Sequence, residues 1–411
     1  MEFRNLLNSR IYDAGGKADE NGVITYTPEQ FKAGARAALK QFEALLPLKM
    51  PANGVRLVDA SDFGIMEMLD ALVLDPMRKK RMHSEVASIL GGRSAHLLYE
   101  AINTTQFPRM LNRLASVAIL DGYEMALENV DALVTEVNDV KTSYYKTNLI
   151  TSQDSPSLTA EGAAYEETVL GELEVDIKLR KYGRLLKITR EMVLADETGK
   201  VLDQAKNNGE YMALIRQQDI LGVCTGQASI VYDGASTDNF IVNGTGFDLF
   251  SNDHSAIPGQ GAQANDNLIA AALGSAGIQT AITALREIKD IHGRRIKVMP
   301  KQLIHAAAQE FTAQKLFSFV VEPALTTSGQ DPNLFKSKYM PVLDMEGTDG
   351  TWYLGDFSKQ VVYAWGWKPE VESDTNPGMK ITNDIVVLIR PSFKGGAGCR
   401  DYKYAVKSIA P

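Results

Sequence analysis

Apolar residues recur at helical spacing over 27–46, where Phe31, Ala35, Ala38, Leu39, Phe42, Leu45 and Leu46 share one face. Thr27 can cap this helix, Pro28 suits its first position, Gln30 completes a capping box and Pro47 stops it. The same period predicts helices near 62–74, 82–90 and 107–130, so the first 130 residues read as a mostly helical unit. From about 136 the pattern changes. The stretch to 172 is polar and rich in Ser and Thr, which predicts an irregular arm lying across another surface.

A period of two follows. Leu173, Val175, Ile177 and Leu179 alternate with Glu174, Asp176, Lys178 and Arg180, the pattern of a half-buried strand. Lys181-Tyr182-Gly183 supplies a turn and Arg184–Thr189 a return strand, so a hairpin is predicted. Two strands alone are marginally stable in water, so it needs a surface to lie on. Residues 191–222 read as one long helix with Val201, Ala205, Met212 and Ile215 on one face. Gly199 and Gly209 each weaken it by about 1 kcal/mol relative to Ala. Residues 233–266 are turn-rich and read as loop.

An amphipathic helix carries Ile278, Ala281, Ile282, Leu285, Ile288 and Ile291 on one stripe. Arg295–Met299 reads as a short strand ending at Pro300, and 301–320 as helix. Three strands close the chain, at Thr351–Leu354, Val361–Trp367 and Ile381–Ile389. The unbroken apolar run 385–389 suits a strand covered on both faces.

At 411 residues the chain has room for two or three domains, and 45% hydrophobic with 23% charged residues is ordinary for a globular protein. The net charge of −8 argues against a dedicated reader of nucleic acid. Cys224 and Cys399 form no CxxC pair, so neither a zinc site nor a disulfide framework is expected, and a reducing setting is the simplest reading. No signal-peptide core or run of 18 apolar residues is present, so no membrane partner is expected.

Charge changes the picture locally. Between Glu172 and Arg190, six bases (Lys178, Arg180, Lys181, Arg184, Lys187, Arg190) oppose three acids, a net +3 in an acidic chain. Such a segment can dock on an acidic neighbour, or it can be an edge guarded by Lys and Arg. The run Arg78–Arg81 reads as a solvated helix end, with contact to phosphates as the functional alternative.

Motifs for chemistry are missing. There is no phosphate-binding GxxxxGK[ST] loop, HExxH helix, GxSxG elbow or EF-hand loop, and GQGAQA at 259–264 follows a loop rather than a strand. The most site-like group is Asp248, Asp253 and His254, read here as a turn whose side chains cap backbone groups. His292 and His305 read as structural. Trp352, Trp365 and Trp367, with Tyr353, Phe357 and Tyr363, read as core packing of one aromatic-rich sheet. No catalytic, cofactor-binding or metal-ligating residue is assigned, and no cofactor is expected.

The order of parts resembles the Hong Kong 97 fold of tailed-phage major capsid proteins: polar arm, basic hairpin, long helix, helix–strand–helix unit, β-rich return. KYGRLLKITREMVLADE (181–197) looks like the return strand of that family's extended loop entering its spine helix. FDLFSNDHSAIPG (247–259) is similar to a segment of Mu-like head subunits. IKVMPKQLIHAAAQEFTAQKLF (296–317) looks like the axial-domain strand and helix, and TWYLGDFSKQVVYAWGWKPEVES (351–373) like the return into the peripheral sheet.

The resemblance implies an α+β capsid fold. Its parts would be a helical N-terminal extension at 1–135, an arm and extended-loop hairpin at 136–192, a spine helix at 193–226, an axial domain at 227–350 and peripheral return strands at 351–411. It also implies a non-enzymatic subunit, assembled in the host cytoplasm into the hexamers and pentamers of an icosahedral virion shell around double-stranded DNA. Portal, scaffold, protease and decoration proteins would be partners, and contact with packaged DNA would be non-specific. The helical 1–130 segment is not part of that family's common core, and the tail SFKGGAGCRDYKYAVKSIAP does not map onto it. Two other readings are an encapsulin-like cellular shell of the same fold and a soluble α/β enzyme built on Asp253 and His254.

Overall fold

A computed structural model of the chain describes residues 17–18, 24–25, 37–38, 40, 106–126, 129–150, 172–194, 200–226, 240–242, 245–257, 260–290, 293–318, 333–374 and 385–409. In chain order the elements are β1 (Lys17–Ala18), β2 (Ile24–Thr25), α1 (Gln106–Met125), a 3-10 turn (Asn129–Leu133), β3 (Val134–Val137), β4 (Tyr144–Ile150), β5 (Glu172–Lys178), β6 (Arg180–Gly183) and β7 (Leu186–Thr189). Then come α2 (Arg190–Leu194), α3 (Lys200–Thr225), β8 (Phe240–Val242), β9 (Thr245–Phe247), β10 (His254–Ile257), β11 (Gln260–Asn265), β12 (Leu268–Ile269) and α4 (Ser275–Glu287). The last are β13 (Gln302–Ala306), a 3-10 turn at Ala307–Gln309, α5 (Glu310–Ser318), β14 (Met340–Asp344), β15 (Thr351–Gly355), α6 (Phe357–Gln360), β16 (Val361–Asp374), β17 (Ile385–Cys399) and β18 (Ala405–Ile409). The helices expected at 62–74 and 82–90 and the basic run Arg78–Arg81 lie outside the described residues. Of the helix expected at 27–46, only 37–38 and 40 are described, and they are helical.

The chain divides into two compact units: 1–126 with 182–214 and 369–393, and 127–181 with 215–368 and 394–411. In the first, α1 buries Met110, Leu111, Leu114, Ala115, Val117 and Ile119. It meets α3 backbone to backbone: a Cβ on Gly209 would lie 1.9 Å from the Ile119 carbonyl oxygen, and one on Gly122 2.2 Å from that of Lys206. Gly209 is therefore where the helices touch, rather than only a weak point. In the same unit β7 pairs antiparallel with the start of β17, Leu186 opposite Ile389 and Thr189 opposite Ile385.

The second unit holds a five-stranded sheet in the order β12-β18-β15-β13-β14. Ile278, Ala281 and Leu285 of α4 and Leu316 and Phe317 of α5 pack with Trp352, Leu354, Leu303 and Val406 of the sheet. β13 runs parallel to β14 and antiparallel to β15. The parallel pair requires a crossover, which α5 supplies. A four-stranded sheet, β4-β5-β8-β9, and the hairpin β10-β11 belong to this unit too. So does the pairing of β3 with β16, Val134 opposite Val361.

Several expectations need correction. Of the polar stretch after 136, the described part, 136–150, holds the end of β3 and all of β4, and 151–171 lie outside the described residues. The alternation at 173–179 is real, with Val175, Ile177 and Leu179 buried, but β5 pairs with β4, Tyr145 opposite Ile177, and β7 pairs with β17. Residues 172–190 are thus no two-stranded hairpin. Of the helix read at 191–222, α2 and α3 are described while 195–199 are not, and Ile215 is only half-buried while Arg216 is buried. The loop read at 233–266 holds the pairs β8–β9 and β10–β11.

The strand read at 295–299 lies further along the chain, at Gln302–Ala306. Arg295 makes a single bridge to Lys289, whereas 302–306 form β13 and helix begins only at Glu310. The buried run QLIHA gains two strand partners, which outweighs the helix propensity of its Gln and Ala. The strand read at 381–389 is Ile385–Cys399, the segment SFKGGAGC is its continuation, and β18 follows it. The aromatics fall in two sheets, Trp352 and Tyr353 on β15, Tyr363, Trp365 and Trp367 on β16.

Candidate functional site

His254 opens β10. Its ring stacks on Tyr402 at 4.2 Å, and its Nε2 lies 3.1 Å from the Leu249 carbonyl oxygen. That oxygen can only accept, so Nε2 carries a proton. Leu249 O also accepts from Asn267 Nδ2 at 2.9 Å, and Asn267 Oδ1 accepts from Ser251 N at 2.8 Å. Asn265 Nδ2 donates to the Tyr402 hydroxyl at 3.0 Å, while its Oδ1 accepts from Lys289 N. This network ties the base of the β10–β11 hairpin to the main sheet. Asp248 and Asp253 are exposed beside it. Among the described residues no group of three or more His, Cys, Asp or Glu could hold a metal ion.

Burial depresses the His254 pKa below the ordinary 6.5; the Leu249 contact and the charges of Asp248, Asp253 and Asp266 oppose this. Between the depressed value and 6.5 the unfolded chain binds more protons than the folded one. Stability therefore falls as pH drops through that window. In thermal melts of the unassembled subunit, His254→Gln is expected to lose less stability between pH 7.5 and 5.5 than the parent chain. Parallel losses would remove His254 as the cause.

The other nucleophile and acid candidates are equally structural. Cys224 and Cys399 are buried free thiols, and burial drives both well above the ordinary thiol range, so neither is a ready thiolate. His305 sits buried in β13 with Nδ1 3.1 Å from the Ala306 carbonyl oxygen. His292 lies outside the described residues.

The strongest polar centre is one that sequence reading missed. Arg216, 2% exposed, places Nη2 2.8 Å from Asp131 Oδ1 and 2.6 Å from Glu136 Oε1. Its guanidinium also lies 5.1 Å from the Tyr363 ring centre and 5.0 Å from that of Trp365. Tyr363 stands opposite Glu136 in the β3–β16 register, which is why one side chain reaches both. Lys368 adds a longer pair to Glu136 at 3.7 Å. A guanidinium suits such a place because it is planar, always charged and weakly hydrated. Its spacing from buried Met212, Ile220 and Val223 could have marked it as an arginine on the helix's inner face.

The extended parts differ in exposure: most of β17 and the first five residues of β16 are buried, and the end of β16 is exposed. β4 and β5 run antiparallel over seven residue pairs, from Tyr144–Lys178 to Ile150–Glu172, with Lys146 Nζ 2.7 Å from Glu174 Oε1. β16 and β17 are fourteen and fifteen residues long. These arrangements offer surface and register rather than a reaction centre.

A family model described as phage capsid protein matches residues 172–408, more than half of the chain. No curated protein matches it. Solved structures that resemble the chain include the capsid of a native GTA particle, 16% identical with TM-score 0.41, covering 69% of this chain and 92% of that one. Another is from Microbacterium phage Oxtober96, at 11%, TM-score 0.43 and coverages of 69% and 91%. The capsid of cyanophage P-SCSP1u gives 11%, TM-score 0.44 and coverages of 68% and 87%.

Proposed function

Because this chain belongs to the phage capsid protein family, and is thus a structural subunit of a phage shell rather than an enzyme, we propose that it is a tailed-phage major capsid protein on the Hong Kong 97 plan. The observation that carries the reading is the family match, which spans α3, the five-stranded sheet and the long strands β16 and β17. In this reading 1–135 is a helical extension and 136–192 the arm and extended loop. In this reading the pair β4–β5, antiparallel over seven residue pairs, takes the place of the hairpin expected at 172–190 as the loop's two strands. Residues 193–226 serve as spine helix. Residues 227–350, completed by β15 and β18, form the axial domain, and the rest of 351–411 returns to the periphery. Strands that expose one face alone bury it against neighbouring copies, and lasting contacts of this kind need about 2,000 Å² or more.

Contacts between unlike patches that close by rotation give rings of five and six subunits. The assembled shell is icosahedral and encloses double-stranded DNA. Portal, scaffold, protease and decoration proteins are the partners this plan brings, with assembly in the host cytoplasm and residence in the virion. Purified protein, imaged by electron microscopy, is expected to form shells or rings. A strictly monomeric, compact species at high concentration would overturn the proposal.

A further inference from the structure

Lys181 on β6, Trp367 on β16 and Lys394 on β17 belong to the second unit, and their strands are neighbours in the order β16-β17-β6. Lys181 Nζ lies 5.4 Å from the Trp367 ring centre and Lys394 Nζ 5.8 Å from it. Two ammonium groups thus gather at one indole. The stem of Lys394 crosses β16 at Gly366, where a Cβ would meet its Cδ at 2.9 Å. Lys181 is exposed, and Trp367 and Lys394 are half-buried.

Neither ammonium has a carboxylate partner among the described residues. Some lysines of the unit are paired, Lys146 with Glu174 and Asp176, Lys301 and Lys359 with Asp356, Lys368 with Glu136 and Lys403 with Asp401, while Lys338 and Lys407 lie over aromatic rings. The ring's negative face offsets part of the repulsion between the two cations but leaves their charge uncompensated. In a chain of net charge −8, two cations from the neighbouring strands β17 and β6 meet at one indole.

We propose that Lys181, Trp367 and Lys394 form a contact for the phosphate backbone of nucleic acid, a deepening of the shell proposal that rests on it. Two ammonium groups neutralise phosphates by releasing counterions, and the indole beside them offers apolar surface on which sugars and bases rest. The contact carries no sequence preference, because no base edge is read.

The test is fluorescence anisotropy of a labelled 20-base-pair duplex with the full chain across a salt series. It compares the parent with Lys181→Gln/Lys394→Gln, with Lys146→Gln as a control whose ammonium is already paired. The double variant is expected to bind at least about tenfold more weakly and to lower the salt slope by about two, one per phosphate contact removed. Lys146→Gln keeps the parent affinity. If the double variant does not fold, Lys181→Gln alone, at an exposed position, lowers the slope by about one. An unchanged affinity and slope overturns the proposal. So does a parent chain that forms shells by electron microscopy yet binds no duplex, an outcome that leaves the shell reading standing. Impaired assembly with unchanged duplex binding overturns it too, and assigns the two lysines to an acidic surface of a second copy.

Discussion

Gly209→Val is expected to lower the stability of the unassembled subunit by about 3 kcal/mol or more, the upper end for overpacking. The valine would gain slightly in helix propensity over glycine, at most about 1 kcal/mol. Sterics decide the sign. Even the first added carbon sits 1.9 Å from the Ile119 carbonyl oxygen and 2.8 Å from the Tyr123 nitrogen, and both are backbone atoms of α1 that cannot turn aside. The helices must part, and the reciprocal approach of Gly122 to the Lys206 carbonyl is lost with them. Urea unfolding of parent and variant gives the comparison. Gly274→Ser is the control, since open space surrounds Gly274 and its helix has no side-chain cap. It is expected to be neutral or to stabilise by a few tenths of a kcal/mol. A Gly209→Val midpoint equal to the parent's would mean that the helices do not meet there.

Arg216→Ala is the second large effect. Removing one member of a fully buried ion pair costs roughly 3–5 kcal/mol. Here Asp131 and Glu136 are 49% and 34% exposed and can rehydrate, so about 2–4 kcal/mol is expected, including the cavity left against Tyr363 and Trp365. Arg216→Lys keeps the charge but loses the planar guanidinium, whose Nη2 meets both carboxylates and whose plane lies near two rings. It should recover less than half of the loss. Full recovery by lysine in the same denaturation series would reduce the centre to a simple charge pair. Because the cluster joins α3, β3 and β16, its loss should show as altered near-ultraviolet signal from Trp365.

Local pattern made much of this protein legible. The stripe Ile278, Ala281, Leu285 and Ile288 is buried as its spacing requires, and the alternation at 173–179 buries Val175, Ile177 and Leu179. Both follow from periods that a single element imposes on its own side chains, whatever it packs against. The strands Thr351–Gly355 and Val361–Asp374 announced themselves through aromatic and β-branched residues. At the Asp248, Asp253 and His254 turn, His254 is stacked on Tyr402 and lies beside the Leu249 carbonyl, while Asp248 and Asp253 are exposed.

The sequence by itself therefore determined which stretches present an apolar face, that no familiar catalytic motif is present, and the order of parts that resembles a capsid subunit. Only the tertiary structure decided who pairs with whom. β5 takes β4 across 21 undescribed residues rather than the nearer β7, and QLIHA becomes a central strand despite its helix-like composition. GGAGC at 395–399 belongs to the tail that does not map onto the capsid resemblance, yet it is the buried end of β17. There Gly395 lies against the Tyr363 ring and Gly398 against Ile177, where a side chain has no room. Strand partnership and close approach depend on residues distant in sequence, and no local period encodes that distance. Arg216 shows the same division: its place on the inner face of α3 was readable, but only folding brings Asp131, Glu136 and two aromatic rings to meet it.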